Sequence, residues 1–158
     1  MQALPTESSD LFRGNEMRFI SEGTLKRYRG PGICEWCRKR SSRREPHHVF
    51  HRGMSSGNRL DISVNLVSLC ATFTGGDNCH ARVHNGEIMR IDLLAVVAAR
   101  ENTQQDRIES VVHFLLKLDK HASLDRMADS ISKMRPGAGD LARRVLREMG
   151  KIPKEEAA

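Results

Sequence analysis

Aromatic side chains are scarce in this sequence of 158 residues, which has one Trp, one Tyr and five Phe. Hydrophobic residues make up 39% of the chain, slightly less than in most globular proteins. We therefore expect a modest core, to which a bound metal could add stability. The length fits one domain and is sufficient to bury a core of its own.

Long hydrophobic runs are absent as well. No stretch approaches the roughly 18 apolar residues that a membrane-spanning helix needs. The first residues have neither the basic segment nor the apolar segment of a secretory signal. We therefore expect a cytoplasmic protein with no membrane partner. In that reducing compartment, cysteines that occur in two pairs bind a metal more often than they form disulfides.

Acidic residues are few between residues 21 and 60. This window has ten Lys or Arg residues and three Asp or Glu residues, a net charge of +7, whereas the rest of the chain sums to −1. A basic surface favours a polyanionic partner, which is a nucleic acid or an anionic membrane. A solvated face explains such a charge run about equally well. Because the same window holds two cysteines and a pair of histidines, we favour nucleic acid.

The cysteines form two pairs. Cys34 and Cys37 make a C-x-x-C motif, whose tight turn lets two thiolates reach one ion at about 2.3 Å. The basic segment 38–44 that follows lacks the strand and helix of a thioredoxin-like redox motif. Cys70 and Cys79 lie further along the chain and can complete a four-cysteine site. We therefore predict structural zinc rather than redox chemistry.

Histidines are concentrated in one part of the chain. His47 and His48 are adjacent in an extended segment, whereas His80 and His84 are four residues apart in a predicted helix. Alone, the adjacent pair is better explained by strand residues with one ring buried and one exposed. Residues four apart share a helix face, so all four rings can converge on one ion. The combination predicts a second metal site.

Hydrophobic periodicity predicts strands followed by helices, and hence an α+β fold. The two strands form a hairpin with a long loop, and the helix after them bears two of the histidines. The expected elements are a short helix over 16–28, a strand over 45–52, a loop over 53–59, a strand over 61–70 and a short helix capped at Asp77 or Asn78.

From Glu87 onward, amphipathic patterns predict four more helices. These helices could pack on the hairpin, form a homodimer, dock a larger nucleic-acid-processing complex or contact DNA. The first of these helices is expected to have one apolar face with Ile88, Ile91, Leu94, Ala95 and Ala98, and the second helix one with Ile108, Val111, Val112, Leu115 and Leu118. The third helix is expected to be capped by Ser123. The fourth is expected over 140–149 and should stop at Gly150.

Four motifs occur in a fixed order: Cys34-x-x-Cys37, Glu45-x-His47-His48, Asn65-Leu66-Val67-x-Leu69-Cys70 and Cys79-His80-x-x-x-His84. Together they resemble the HNH endonuclease family, in its zinc-stapled bacteriophage and bacterial branch. The likeness covers about a third of the chain and implies a ββα-metal core. The implied organisation is a leader with a short helix (1–32), the nuclease core (33–86), a helical region (87–152) and a tail (153–158).

The resemblance implies a DNA endonuclease that leaves 5′-phosphate and 3′-hydroxyl ends. His48 would be the general base, Glu45 would orient that histidine or its neighbours, and Asn65 would hold the loop of the hairpin. The catalytic ion is expected to be Mg²⁺ or Mn²⁺, although imidazole ligands also suit Ni²⁺ or Zn²⁺. The implied ligands are His47, His80 and His84 for this ion, and Cys34, Cys37, Cys70 and Cys79 for structural zinc. One departure is the spacing of the second cysteine pair, which has eight intervening residues where many members have two.

The chemistry of the residue types agrees with this resemblance. Phosphodiester hydrolysis needs a base to deprotonate water and positive charge to neutralise the phosphate and the leaving oxygen. Histidine exchanges protons near neutral pH and suits the first task. Candidates for contacts with DNA phosphates, each equally well explained as solvated charges, are Arg43, Arg44, Arg52 and Arg59. The alternative functions are a non-catalytic zinc-stabilised DNA-binding module and an accessory subunit of a nucleic-acid-processing complex.

Overall fold

The computed structural model describes residues 12–13, 16–17, 19–50, 59–72, 78–116, 124–135 and 137–151. The fold is α+β, as the sequence predicts, and its described strands form small antiparallel pairs. The pairs are β1 (Phe12–Arg13) with β2 (Glu16–Met17), β3 (Gly32–Ile33) with β4 (Arg40–Ser41), and β5 (Arg44–His48) with β6 (Leu66–Cys70).

The β5–β6 strand pair carries residues of both predicted metal sites. Its register pairs His48 with Leu66 and Arg44 with Cys70. Both strands are shorter than predicted, because Ser63–Asn65 form a 3₁₀ turn before β6 begins and β5 ends at His48. The hairpin therefore carries the adjacent histidines at one end and a cysteine at the other.

The helix predicted over 16–28 is also shorter. Residues 16 and 17 belong to β2, and α1 spans only Glu22–Lys26. Ser21 is its N-cap, because the Ser21 hydroxyl accepts a hydrogen bond of 3.2 Å from the Thr24 amide. A residue with a strong capping preference thus sets the start of the helix.

The short helix α2 (Cys79–His84) follows the hairpin, and its predicted cap is confirmed for Asn78. The Asn78 side-chain oxygen accepts a hydrogen bond of 2.9 Å from the Ala81 amide. Asp77 lies outside the described residues, as does the rest of 73–77. The cap fixes the residue at which the helix starts, and hence the direction in which its histidines project.

Four further helices are confirmed: α3 (Arg90–Glu101), α4 (Gln105–Leu116), α5 (Leu124–Ser132) and α6 (Ala138–Glu148). The buried face of α3 differs from the prediction, since Leu93 and Val97 are buried while Ile91 is 64% exposed. Gly150 follows α6 with φ of +70°, so the predicted stop is also confirmed. Leu118 and Ser123 fall outside the described residues.

The helices pack on the hairpin, and the buried side chains of both form one hydrophobic cluster. Polar contacts reinforce the junction at the 3₁₀ turn. Glu148 accepts hydrogen bonds from the amide of Ser63 at 2.8 Å and from its hydroxyl at 2.7 Å, and Arg100 donates to the carbonyl oxygen of Leu66 at 3.0 Å. The helical region therefore supports the segment that leads into β6. None of the described helices has the length and apolar character to cross a membrane.

Candidate functional site

The four cysteines converge, as the sequence predicts, and they could hold a metal ion. The sulfur atoms of Cys34, Cys37, Cys70 and Cys79 all lie within 4.8 Å of one another. Their backbone is arranged around the sulfurs, since the Cys79 amide points to Cys70 Sγ at 3.4 Å. The turn of the C-x-x-C motif ends at Arg38, which adopts a left-handed φ of 63° and whose amide donates a hydrogen bond to the Cys34 carbonyl at 3.0 Å.

Electrostatics in this cluster favour a bound cation. Burial raises the pKa of the Cys34 thiol, but the amides of Cys70, Cys37 and Trp36 outweigh burial and lower that pKa to about 7. Burial raises the pKa of Cys79, and so do its contacts with the thiols of Cys70 and Cys34. Four thiolates this close repel one another unless a cation neutralises them. A soft divalent ion such as zinc meets that need.

Three histidines form a second cluster. Ring nitrogens of His47, His80 and His84 lie within 4.8 Å of one another, and the ring centroids are 4.7 to 5.9 Å apart. β5 supplies His47, and one face of α2 supplies the other two. Burial lowers the pKa of His80, and the neighbouring His84 lowers it further. Both effects favour the neutral imidazole, which is the form that binds metals.

His48 has a carboxylate partner, Asp61, that was not among the predicted site residues. Its Nε2 lies 2.7 Å from Oδ1 of Asp61, which is fully buried. Burial raises the pKa of Asp61, but hydrogen bonds from His48, Arg59 and the Ser21 amide outweigh burial and hold that pKa below its ordinary value. Asp61 is therefore a carboxylate. A sequence signal did exist, since Asp61 is the one acidic residue of the predicted strand 61–70.

Glu45, which was expected to orient His48 or its neighbours, is paired with arginines. It accepts a hydrogen bond of 2.9 Å from Arg43 Nε and lies 3.8 Å from Arg29 Nε. It lines the same cleft as His48 and His80, and its role in orienting the neighbours of His48 stays a prediction. Within the described residues, the carboxylate in contact with His48 is that of Asp61.

Asn65 is fully buried and joins the two ends of the segment 51–58. Its Oδ1 accepts a hydrogen bond of 2.8 Å from the Phe50 amide. Its Nδ2 donates to the carbonyl oxygens of Phe50 and Leu60, both at 3.0 Å. This arrangement is what holding the hairpin loop requires, whereas the part of Asn65 in catalysis stays a prediction.

A cleft of about 350 Å³ brings the predicted base next to His80, one member of the histidine cluster. It is lined by His48 and His80 together with Arg29, Arg43, Arg59 and the acidic Glu45, whereas His47 and His84 line a separate cavity. Arg43 and Arg59 are among the predicted phosphate contacts, whereas Arg29 was not singled out. A surface that combines two imidazoles with three guanidinium groups is suited to a phosphodiester.

The other two predicted phosphate contacts have different outcomes. Arg44 donates hydrogen bonds to the carbonyl oxygens of Gly30 at 3.1 Å, and of Arg29 and Pro31 at 3.3 Å each. It thus fastens the turn before the C-x-x-C motif and does not line the cleft. Arg52 lies outside the described residues.

No family model, curated protein or solved structure matches this chain.

Proposed function

We propose that this protein is a metal-dependent endonuclease of the HNH type, which hydrolyses phosphodiester bonds in DNA and leaves 5′-phosphate and 3′-hydroxyl ends. The observation that carries the proposal is the shared cleft. His48, which is held by a carboxylate, and His80, which belongs to a cluster of metal-binding imidazoles, open into the same basic cavity. A base and a cation next to one phosphate are the two requirements for this hydrolysis.

In this proposal His48 accepts a proton from a water molecule, whose oxygen attacks the phosphorus. The bond between phosphorus and the 3′ oxygen breaks, the leaving oxygen takes a proton from a solvent water to become a hydroxyl, and His48 returns its proton to solvent. A divalent ion bound by His47, His80 and His84 would supply positive charge to the phosphate and to the leaving oxygen. Three neutral imidazoles fit this task because they leave ligand positions open for substrate and water. Imidazole ligands suit Ni²⁺ or Zn²⁺, whereas Mg²⁺ or Mn²⁺ is the ion expected in the cell, because the ion that supports activity need not be the ion that binds most tightly.

The arginines of the cleft would bind the DNA backbone. Arg43 is ion-paired with Glu45 at 2.9 Å, and Arg59 is ion-paired with Asp61 at 2.8 Å. These pairs hold the two guanidinium groups in position beside the cleft that both arginines line. Contacts of this kind neutralise phosphates without reading sequence.

The four-cysteine site would act as the structural support of this core. It would join the C-x-x-C motif to Cys70 at the end of β6 and to Cys79, the first residue of α2. Because His80 and His84 lie on that helix, zinc bound by the cysteines would fix the position of both imidazoles.

Cleavage of supercoiled plasmid by the purified protein and by His48→Ala tests the proposal, in Mg²⁺, Mn²⁺, Ni²⁺ and Zn²⁺. Zinc content and circular dichroism are measured on both proteins. The expected result is that the variant keeps its zinc and fold while its rate falls by about 10²-fold or more. His113→Ala is the matched control, because His113 lies on α4 outside the cleft. Equal rates for His48→Ala and the wild type would contradict the proposal.

The same basic cleft favours one second function, a zinc-stabilised DNA-binding module without catalysis, acting alone or as an accessory subunit. Three guanidinium groups can hold a backbone whether or not the phosphate is hydrolysed. Salt-dependent binding of duplex DNA, with no cleavage in any of the four metals, would support that function instead.

A further inference from the structure

Asp61 lies where three parts of the chain meet. Its Oδ1 accepts hydrogen bonds from His48 Nε2 at 2.7 Å and from Arg59 Nε at 2.8 Å. Its Oδ2 accepts from Arg59 Nη2 at 3.0 Å and from the amide of Ser21 at 2.9 Å. The carboxylate is fully buried, so the protein and not bulk water supplies its hydrogen-bond donors.

This arrangement determines which nitrogen of His48 bears hydrogen. An ionised carboxylate can only accept hydrogen bonds, and the guanidinium and amide partners of Asp61 can only donate. The hydrogen between His48 and Asp61 must therefore lie on Nε2. In a neutral imidazole, the lone pair is then on Nδ1.

We propose that Asp61 is a positioning residue for the hydrolysis: it holds His48 in the Nε2–H tautomer and fixes the ring so that Nδ1 can accept the proton of the attacking water. This inference rests on the nuclease function proposed above. It also assigns a role to the segment around Phe19 and Ser21, before the C-x-x-C motif, for which the sequence predicted no function.

The support of Asp61 comes from that N-terminal segment. The Asp61 amide donates to the Phe19 carbonyl at 2.8 Å, and the Phe19 amide donates to the Arg59 carbonyl at 2.7 Å. The Ser21 amide then bonds the carboxylate itself. Backbone contacts at Arg59 and Asp61, together with the Ser21 amide, thus hold the Asp61 side chain against His48.

Asp61→Asn is the most informative variant because it keeps the shape and removes the charge. An asparagine has one acceptor oxygen and one NH₂ group. In either orientation the NH₂ group faces two donors, which are His48 Nε2 and Arg59 Nε, or Arg59 Nη2 and the Ser21 amide. The tautomer of His48 is therefore no longer held by four consistent hydrogen bonds.

Ser21→Ala is the matched structural control. It removes the cap of α1 next to Asp61, but it keeps the backbone amide that bonds the carboxylate. If local destabilisation around Asp61 were enough to lower activity, Ser21→Ala would lower it too. A changed tautomer of His48 is expected only in Asp61→Asn.

The experiment records long-range ¹H–¹⁵N spectra of zinc-loaded, histidine-labelled full-length protein at about pH 8, where free imidazole is neutral. His48→Ala identifies the resonances of His48. We expect the Nε2–H tautomer in the wild type and in Ser21→Ala, and a mixture or the other tautomer in Asp61→Asn. In plasmid cleavage, we expect kcat of Asp61→Asn to fall by about 10²- to 10⁴-fold with KM changed less than about threefold, since the loss is one of general-base catalysis.

The outcomes separate this inference from the proposed function. If His48→Ala is inactive while Asp61→Asn keeps the kcat and tautomer of the wild type, the nuclease function stands and the role of Asp61 is overturned. If the wild type cleaves no DNA, the nuclease function fails, and the spectra alone show whether Asp61 sets the tautomer. An Nδ1–H tautomer in the wild type would overturn the inference without any variant, so a poorly folded Asp61→Asn protein does not remove the test.

Discussion

Cys79 and His80 are consecutive residues at the start of α2, yet they belong to two different clusters of side chains that could each hold a metal ion. The sulfur of Cys79 lies with the other three cysteines, and the ring of His80 lies with His47 and His84. One peptide bond therefore couples the site expected to hold structural zinc to the site proposed to hold the catalytic ion. Loss of the metal at the cysteines should therefore weaken metal binding at the histidines.

Loss of one cysteine is expected to affect both sites. Cys37→Ala should lose the zinc and lower the free energy of unfolding by about 4 kcal/mol or more, as loss of a structural metal does. Binding of Mn²⁺ at the histidines should weaken too, because α2 loses its anchor. Zinc content, urea unfolding and Mn²⁺ titration measure the three effects. Ser42→Ala, an exposed change five residues further along the chain, is the control, and a Cys37→Ala protein with full zinc content would contradict the prediction.

Loss of one histidine of the cluster should affect only the proposed catalytic ion. His84→Ala removes an exposed ligand and should weaken Mn²⁺ binding by about tenfold or more, since even outer partners of ligands have effects of that size. Its zinc content should be unchanged because the sulfur cluster is intact. Calorimetric titration of the zinc-loaded protein checks this, with His113→Ala as the histidine control. Unchanged Mn²⁺ affinity would mean that the three imidazoles do not share an ion.

Asn65→Ala should destabilise the fold strongly. The change leaves the amide of Phe50 and the carbonyl oxygens of Phe50 and Leu60 without their partner in a buried site. Each unsatisfied group costs about 1 to 3 kcal/mol, so a loss of roughly 3 kcal/mol or more in the free energy of unfolding is expected. Urea unfolding measures it, and Asn85→Ala at an exposed position should change stability by less than about 0.5 kcal/mol. A small effect at Asn65 would show that the loop is held by other contacts.

Ser63 and Glu148 are 85 residues apart and joined by two hydrogen bonds, so their substitutions should not be additive. A double-mutant cycle of Ser63→Ala and Glu148→Gln should give a coupling energy of about 0.5 to 3 kcal/mol in urea unfolding. Ser63→Ala combined with Arg143→Ala, an exposed position on the same helix, is the control cycle and should be additive. Additivity in both cycles would mean that α6 does not clamp the 3₁₀ turn.

Arg43 and Arg44 are adjacent in sequence and should behave differently. In a His48→Ala background, which prevents cleavage, Arg43→Ala should weaken duplex binding and lower the slope of log affinity against log salt by about 1. Arg44→Ala should leave that slope unchanged and lower stability, because Arg44 bonds backbone carbonyls of the turn 29–31. Fluorescence anisotropy over a salt series and urea unfolding distinguish the two. The reverse pattern would contradict the assignment of the cleft.

Features that depend on local spacing were predictable from the sequence. The C-x-x-C turn, the histidines four apart in α2 and the amphipathic repeats of the last four helices each depend on residues within a few positions of one another. Local backbone geometry decides such features, so the C-x-x-C turn and the positions of the helices followed from their patterns. The convergence of the two cysteine pairs, which are 33 residues apart, was expected from the type of motif and not from local geometry. The starting residue of a helix was predictable where a strong cap such as Asn78 stood before it.

Features that depend on distant partners were decided only by the tertiary structure. Asp61 meets His48 across 13 residues, and Glu148 meets Ser63 across 85. Arg44, beside Arg43 in the chain, is drawn into backbone contacts while Arg43 lines the cleft. Composition and periodicity show that a carboxylate or a guanidinium is present, but the fold of the whole chain sets which group it reaches. The sequence by itself thus determined which chemical groups could form the site, and packing over long separations decided which of them meet.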